Sequence, residues 1–162
     1  MRLDRAAGKR QVSNRRRLCA DYAETFFRTS GWWRESECQK ITVSATQKIS
    51  DALIVVEIPR RHTSGKRFKQ DVAAFTKSLE KIRRVRAFAS AAYDLCLVAR
   101  GAADGYLDFS RNTKIWDVAA GELIVREAGG KISDMTLAYL KFPDISVLAT
   151  NANLHAQLKA FL

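Results

Sequence analysis

"TKIWDVAAGELIVREAGGKISD" (Thr113–Asp134) joins one acid, a run of small residues, an apolar run and a double glycine. Asp117 follows Trp116; Ala119, Ala120 and Gly121 come next; Gly129-Gly130 closes the run, and "KIS" follows. The pattern predicts a helix opening at Asp117, a stop at the glycines and a short strand beyond. An aspartate at a helix start accepts hydrogen bonds from the unpaired amides of the first turn, and the helix dipole favours its charge. The small residues after it let a ligand, a metal or another backbone come close. A helix start is also a phosphate site, and an acid beside a phosphate needs a bridging cation. Two readings of Asp117 therefore stand together: a cap, or a ligand for a divalent metal such as Mg2+.

Outward from that helix, strand and helix patterns alternate. "DALIVVEIP" (Asp51–Pro59) is a β-branched run ended by proline, the pattern of a strand buried on both faces. Phe68, Val72, Phe75, Leu79 and Ile82 form the stripe of an amphipathic helix. "RAFAS" suits a short strand. "SAAYDLCLVARG" suits a helix with Ser90 as N-cap and Gly101 as stop. "DGYLDF" reads as a turn and a strand, and "ISVLAT" as another strand. Asn153 is placed to cap a last helix with Leu154, Leu158 and Phe161 facing inward. Nearer the N-terminus, strands are expected around Thr25–Arg28 and Lys40–Val43, with a turn at Ser30-Gly31. The expected architecture is a layered α/β domain with a mixed sheet flanked by helices.

The chain's 162 residues suit one domain, and 47% hydrophobic content is enough for a core. Residues 1–20 show no periodicity and are expected to form a basic, disordered arm before a domain at 21–162. No apolar run is long enough to span a membrane, and the basic start lacks the apolar core of a secretory signal, so a cytoplasmic location is expected. Cys19, Cys38 and Cys96 have no CxxC spacing, and with only His62 and His155 they form no zinc pattern; inert thiols are expected. The net charge of +11 would attract any polyanion, but no nucleic-acid motif accompanies it, so solvated basic faces are the favoured reading over nucleic-acid contact.

"WDVAAGELIVREAGG" (Trp116–Gly130) resembles the C-terminal signature of the inositol monophosphatase family: a Trp-Asp pair, a small-residue turn, an apolar helix and Glu-Ala-Gly-Gly. "RAFASAAYDLCLVARGAADGYLD" (Arg86–Asp108) resembles the segment upstream of it, "ETFFRTSGWWRESECQKITVSATQKISDALI" (Glu24–Ile54) the earlier hairpin, and "VLATNANLHAQL" (Val147–Leu158) the closing Ala-x-Asn-x-x-x-His stretch. The resemblance runs from about residue 21 to the end, and it implies the C-terminal part of a Mg2+-dependent phosphomonoesterase acting on inositol or sugar phosphates. It implies that Asp117 binds a catalytic metal and that Ser90 and Ala91 contact the substrate. Ala89 departs from the family's usual glycine. The family's acid for sugar or inositol hydroxyls finds no direct match in "LDFSRNTKIWD" (Leu107–Asp117), so contacts from that loop are left open.

The family's other metal ligands lie on an upstream glutamate pair and a DPxDGT motif, and this sequence contains no DPxDGT. Magnesium needs several oxygen ligands, and two-metal hydrolysis needs two filled sites. The chain alone is therefore expected to be nearly inactive, as a truncated product or as one half of a split enzyme whose second chain carries the N-terminal half; a homo-oligomer is the other partner expected. The competing reading is a non-catalytic binding module with a basic arm that contacts nucleic acid; a third is a degenerate product that scarcely folds. Trp32 and Trp33 stand where the family places small residues, which suggests apolar cover for the hairpin.

Overall fold

The computed structural model describes residues 41–60, 65–140 and 146–159, together with three strands nearer the N-terminus. Those strands, β1 (Arg16–Cys19), β2 (Glu24–Thr29) and β3 (Trp32–Arg34), form an antiparallel sheet in that order. β1 falls within the stretch expected to be a disordered arm, where charge masks any strand pattern. β2 matches its expectation, and the turn at Ser30-Gly31 lies outside the described residues. Of the strand expected at Lys40–Val43, Lys40 lies outside the described residues and the rest does not form: Ile41–Lys48 runs without strand pairing, though the Val43 amide donates to the Ala128 carbonyl (3.1 Å).

A one-turn 3-10 helix at Ile49–Asp51 leads into β4 (Leu53–Glu57), the second strand of a five-stranded sheet. The remaining elements are α1 (Gly65–Leu79), β5 (Arg84–Arg86), α2 (Ala91–Ala99), β6 (Gly105–Asp108), α3 (Ile115–Glu127), β7 (Lys131–Asp134), β8 (Val147–Thr150) and α4 (His155–Lys159). The strand order is β5-β4-β6-β8-β7. β4 pairs parallel with β5 and β6, whereas β8 runs antiparallel to both β6 and β7. The expected mixed sheet flanked by helices is what forms. No described helix is long and apolar enough to cross a membrane.

Strand alternation divides the core between the two sheet faces. Val55, Tyr106, Val147 and Ala149 pack with Leu95, Val98 and Ala99 of α2 and Val118, Ile124 and Val125 of α3. Ile54, Val56, Leu107 and Leu148 pack on the other face with Phe75 of α1 and Leu154 and Leu158 at α4. β4 therefore has no solvated face, which is why its sequence is a continuous apolar run rather than an alternating one. Cys96 is buried in the first cluster; the side chains of Cys19 and Cys38 lie outside the described residues.

Two elements differ in detail from the sequence reading. α1 forms as expected, but Val72 and Leu79 are exposed; the helix turns Asp71, Ala74, Phe75 and Ser78 inward instead. Apolarity alone does not set the inward face: Asp71 and Ser78 reach the interior by finding polar partners there. At the C-terminal end Asn151, not Asn153, does the capping: its Oδ1 accepts from the Asn153 and Leu154 amides, both at 3.1 Å. Leu154 and Leu158 are buried as expected, and Phe161 lies outside the described residues. Behind them, the buried His155 bridges the hydroxyls of Ser133 (Nε2, 3.0 Å) and Thr150 (Nδ1, 2.9 Å), tying α4 to β7 and β8.

α2 and α3 cross closely because Gly121 has no side chain. A Cβ there would lie 2.5 Å from Leu95 Cδ1 and 2.7 Å from Leu95 Cβ, and Leu95 is fully buried. The small residues after Asp117 thus admit a helix at Gly121, while Ala119 stays exposed. Gly101 ends α2 at φ +72°, as its expected role requires, and a Cβ there would press on the Thr42 carbonyl at 3.0 Å. Gly121→Ala should lower stability by about 1–3 kcal/mol through overpacking, despite alanine's higher helix propensity. Urea unfolding measures it, and a stabilised variant would count against the tight crossing.

Candidate functional site

The carboxyl ends of parallel strands are where an open α/β sheet leaves room for a ligand. Here β4 ends on Glu57 and β6 on Asp108, and the two stand opposite each other in the register. By alternation Glu57 shares the face of Val55 and Asp108 the face of Tyr106, so both project toward the α2 and α3 layer. Two acids are thereby placed side by side with little water.

Their surroundings differ. Asp108 is fully buried and well supplied with donors: its Oδ1 accepts from the Ser110 amide (2.8 Å) and hydroxyl (2.6 Å), and its Oδ2 from the Thr113 hydroxyl. Asp108 thus shapes the loop between β6 and α3. The same loop holds Arg111 at φ +52°, and its guanidinium grips Asp71 of α1 at 2.9 and 3.1 Å. Glu57 is nearly as buried, with its side chain 8% exposed, but its carboxylate has only an ion pair to Arg60 at 3.9 Å. Burial raises its pKa above the usual glutamate value, and the neighbouring charges of Asp108 and Asp117 add to this, while Arg60 opposes them.

Asp117 lies in the first turn of α3, two residues inside the helix start at Ile115, and not at its cap as expected. Lys114 occupies the cap position, and the Asp117 carboxylate reaches back to accept from the Lys114 amide at 3.0 Å. Its first-turn location still favours the negative charge, and it is only half-buried. Trp116 beside it is 70% exposed.

Ser90 takes the expected cap position of α2, but its hydroxyl makes no capping bond, and the residue is exposed. Ala91 begins the helix. The first-turn amides have no partner within a helix, so this end of α2 offers donors to whatever occupies the space before it. Ala89 enters this turn at φ +56°, a left-handed conformation that costs alanine about 1–2 kcal/mol and glycine none. This is the physical reason that a glycine suits the position.

Glu57, Arg60, Ala89–Ala92, Ser110, Asn112, Thr113 and Asp117 line one cleft of about 230 Å³. The three residues singled out in the sequence, Ser90, Ala91 and Asp117, come from two different helices and meet there. Among the described residues, no three His, Cys, Asp or Glu side chains are grouped to hold a metal ion. Asp117 and Glu57 are the acids that line the cleft.

Sequence reasoning missed Glu57, Asp94 and Asp108. The signal for the first was an acid inside a β-branched run. The search for a hydroxyl-binding acid found no match in the loop, yet β6 does end on one, Asp108, with its oxygens occupied by Ser110 and Thr113. Asp94, one turn into α2, is completely buried, and neither carboxylate oxygen has a hydrogen-bond partner. Burial pushes its pKa up to about 7, the Glu57 charge adds to the rise, and the Ser90 backbone opposes it.

Two stability predictions follow from this geometry. Ala89→Gly should stabilise the fold by about 0.5–1 kcal/mol, the relief of left-handed strain less the greater freedom of unfolded glycine; thermal unfolding reads it. For Asp94 the folded pKa, about 7, lies above the model-peptide value of 3.8. The folded state therefore binds the extra proton, and stability falls as pH rises through that window. Asp94→Asn should be more stable than the parent by roughly 1–3 kcal/mol at pH 8, the cost of an unpaired buried charge. That margin should shrink toward zero near pH 4, and urea titrations at both pH values would show it; a constant margin would mean that Asp94 is not the titrating group.

Comparison with known proteins places this arrangement. Residues 20–161 match the inositol monophosphatase family. The chain is 36% identical over 134 residues to the chloroplastic phosphatase IMPL1 of Arabidopsis thaliana, an alignment covering 83% of this chain and 35% of that protein. It is 32% identical over 124 residues to human inositol monophosphatase 1, covering 74% of this chain and 42% of that protein. The structure of an inositol monophosphatase from Anabaena superposes with a TM-score of 0.76 at 30% identity, over 91% of this chain and 57% of that one. The chain spans from about a third to somewhat over half of the length of these relatives. With a family match over nearly the whole chain and a shared fold, this chain belongs to the inositol monophosphatase family.

Proposed function

We propose that this chain forms the substrate-recognising part of a Mg2+-dependent phosphomonoesterase for inositol or sugar phosphates. The observation that carries the reading is the meeting of two helix N-termini at one cleft: the first turn of α2, with Ser90 and Ala91, and the first turn of α3, with Asp117.

Each part has a chemical use. The first-turn amides of α2 are donors aimed at an anion, and the helix dipole favours phosphate there. Ser90 and Ala91 are the residues proposed to contact it. Asp117 would be one ligand of a Mg2+ ion; a bound ion would supply charge neutralisation and an activated water. The described residues offer Asp117 without a group of three ligands, so no hydrolytic step is assigned to this chain by itself. The remaining ligands are proposed to come from further polypeptide of the DPxDGT kind, in the same protein or in a partner chain. The Ser110–Thr113 loop, shaped by Asp108 and anchored through Arg111 to Asp71, forms the wall of the cleft beside Asp117.

Phosphate release from inositol 1-phosphate and fructose 1,6-bisphosphate in Mg2+ should be marginal for the chain alone; robust turnover would overturn the proposal of an incomplete ligand set. Calorimetric titration with inositol 1-phosphate in Mg2+ should still show binding, and Asp117→Asn should weaken it about tenfold, the scale of one charge-assisted contact. Absence of any binding by the parent at millimolar ligand would sink the reading of the cleft as a phosphate-ester site.

A further inference from the structure

We infer that Glu57 is a specificity-determining residue whose carboxylate accepts hydrogen bonds from a hydroxyl of a polyol phosphate held in the cleft. The inference rests on the proposed reading of that cleft as a phosphate-ester site and adds which residue reads the alcohol portion.

Glu57 is coupled by charge to Asp94, Asp108 and Asp117, and their partners separate the four. Asp108 is saturated by two hydroxyls and an amide. Asp94 is sealed from solvent. Asp117 gives one oxygen to the Lys114 amide and stands at the helix end proposed for the metal. Glu57 has a side chain more than nine-tenths buried and lines the cleft, and its carboxylate makes no hydrogen bond; the carboxylate's one ion pair, to Arg60 at 3.9 Å, is longer than a hydrogen bond. An ionised carboxylate has about four acceptor sites, and leaving them empty in a desolvated place is costly. The fold places this acid at the end of β4 and leaves its acceptors facing a space where a ligand fits.

The chemistry of that ligand follows from what Glu57 can tolerate. A phosphate oxygen would be repelled by it. A metal ion would also satisfy it, and the paired titration below separates that role from hydroxyl binding. A hydroxyl donates, carries no charge, and satisfies the carboxylate with a charge-assisted bond. The phosphate at the start of α2 and the hydroxyl at Glu57 would then be two points of one molecule spanning the cleft. Arg60, 42% exposed, orients the carboxylate from the rim. A site built to bind a hydroxyl discriminates strongly against the analogue that lacks it, because the protein group is then left unpaired.

Calorimetric titration of the full chain in Mg2+ with inositol 1-phosphate and with cyclohexyl phosphate, its hydroxyl-free counterpart, tests this. The parent should prefer inositol 1-phosphate. Glu57→Gln, equal in shape but uncharged, should lose about tenfold in affinity for inositol 1-phosphate and keep its affinity for cyclohexyl phosphate. Glu57→Asp, a withdrawn carboxylate, should lose several-fold of the same preference; it serves if the Gln variant fails to show a native circular dichroism spectrum. Equal losses for both ligands would overturn the inference and point to a role in holding a cation or the fold. An unchanged preference in a folded variant would overturn it as well. Binding of both esters by the parent without preference would defeat this inference alone, whereas binding of neither would defeat the phosphate-ester reading and this inference with it.

Discussion

The parallel pairing of β4 with β6 puts Glu57 opposite Asp108 at the point where both strands leave the sheet. Two carboxylates there, facing the same helical layer, repel each other in a medium that screens poorly. Much of the surrounding structure responds to that constraint. Ser110 and Thr113 turn their donors onto Asp108, and doing so gives the β6–α3 loop its shape. Arg60 comes back over Glu57 from three residues along the chain. Asp94, under the same roof, is driven toward its protonated form by burial and by the Glu57 charge. A purely structural core would put apolar residues at these positions. The acids sit where a ligand-bearing end of an α/β sheet is expected to lie.

Helix packing completes the arrangement. The absence of a side chain at Gly121 brings α3 against Leu95 of α2, so that the two helices approach closely and their starts border one cleft. The left-handed backbone at Ala89 and the Arg111–Asp71 pair, in which one Nε–H is shared by both carboxylate oxygens, set how the chain enters these helices. Strain and buried charge at such positions are tolerated because the packed sheet beneath over-determines the geometry.

The sequence made several elements legible on purely local grounds. A continuous β-branched run before a proline suits a strand with two buried faces, and β4 is that strand. Gly101 and Gly129 marked helix ends because only glycine takes their backbone angles without strain. Where local pattern and tertiary context disagreed, context prevailed. The apolar stripe of α1 pointed at Val72 and Leu79, yet Asp71 and Ser78 are the residues turned inward, because Arg111 across the fold compensates the acid. Asn153 looked like a cap by position, but Asn151 has the side chain that reaches the free amides.

What the amino-acid sequence determined by itself was the alternation of strands and helices, the stops between them, and the family signature around Asp117, all of which are written in neighbouring residues. It also pointed to Ser90 and Ala91, through resemblance. Only the tertiary structure decided that these three residues line one cleft, that Asp117 lies inside the first turn with its oxygen on Lys114, and that Glu57 stands open beside them while Asp108 does not. The reason is physical: a carboxylate's role depends on which donors reach it and how much water is excluded. Those partners come from strands and loops far apart in the chain, brought together only when the sheet and its helices close.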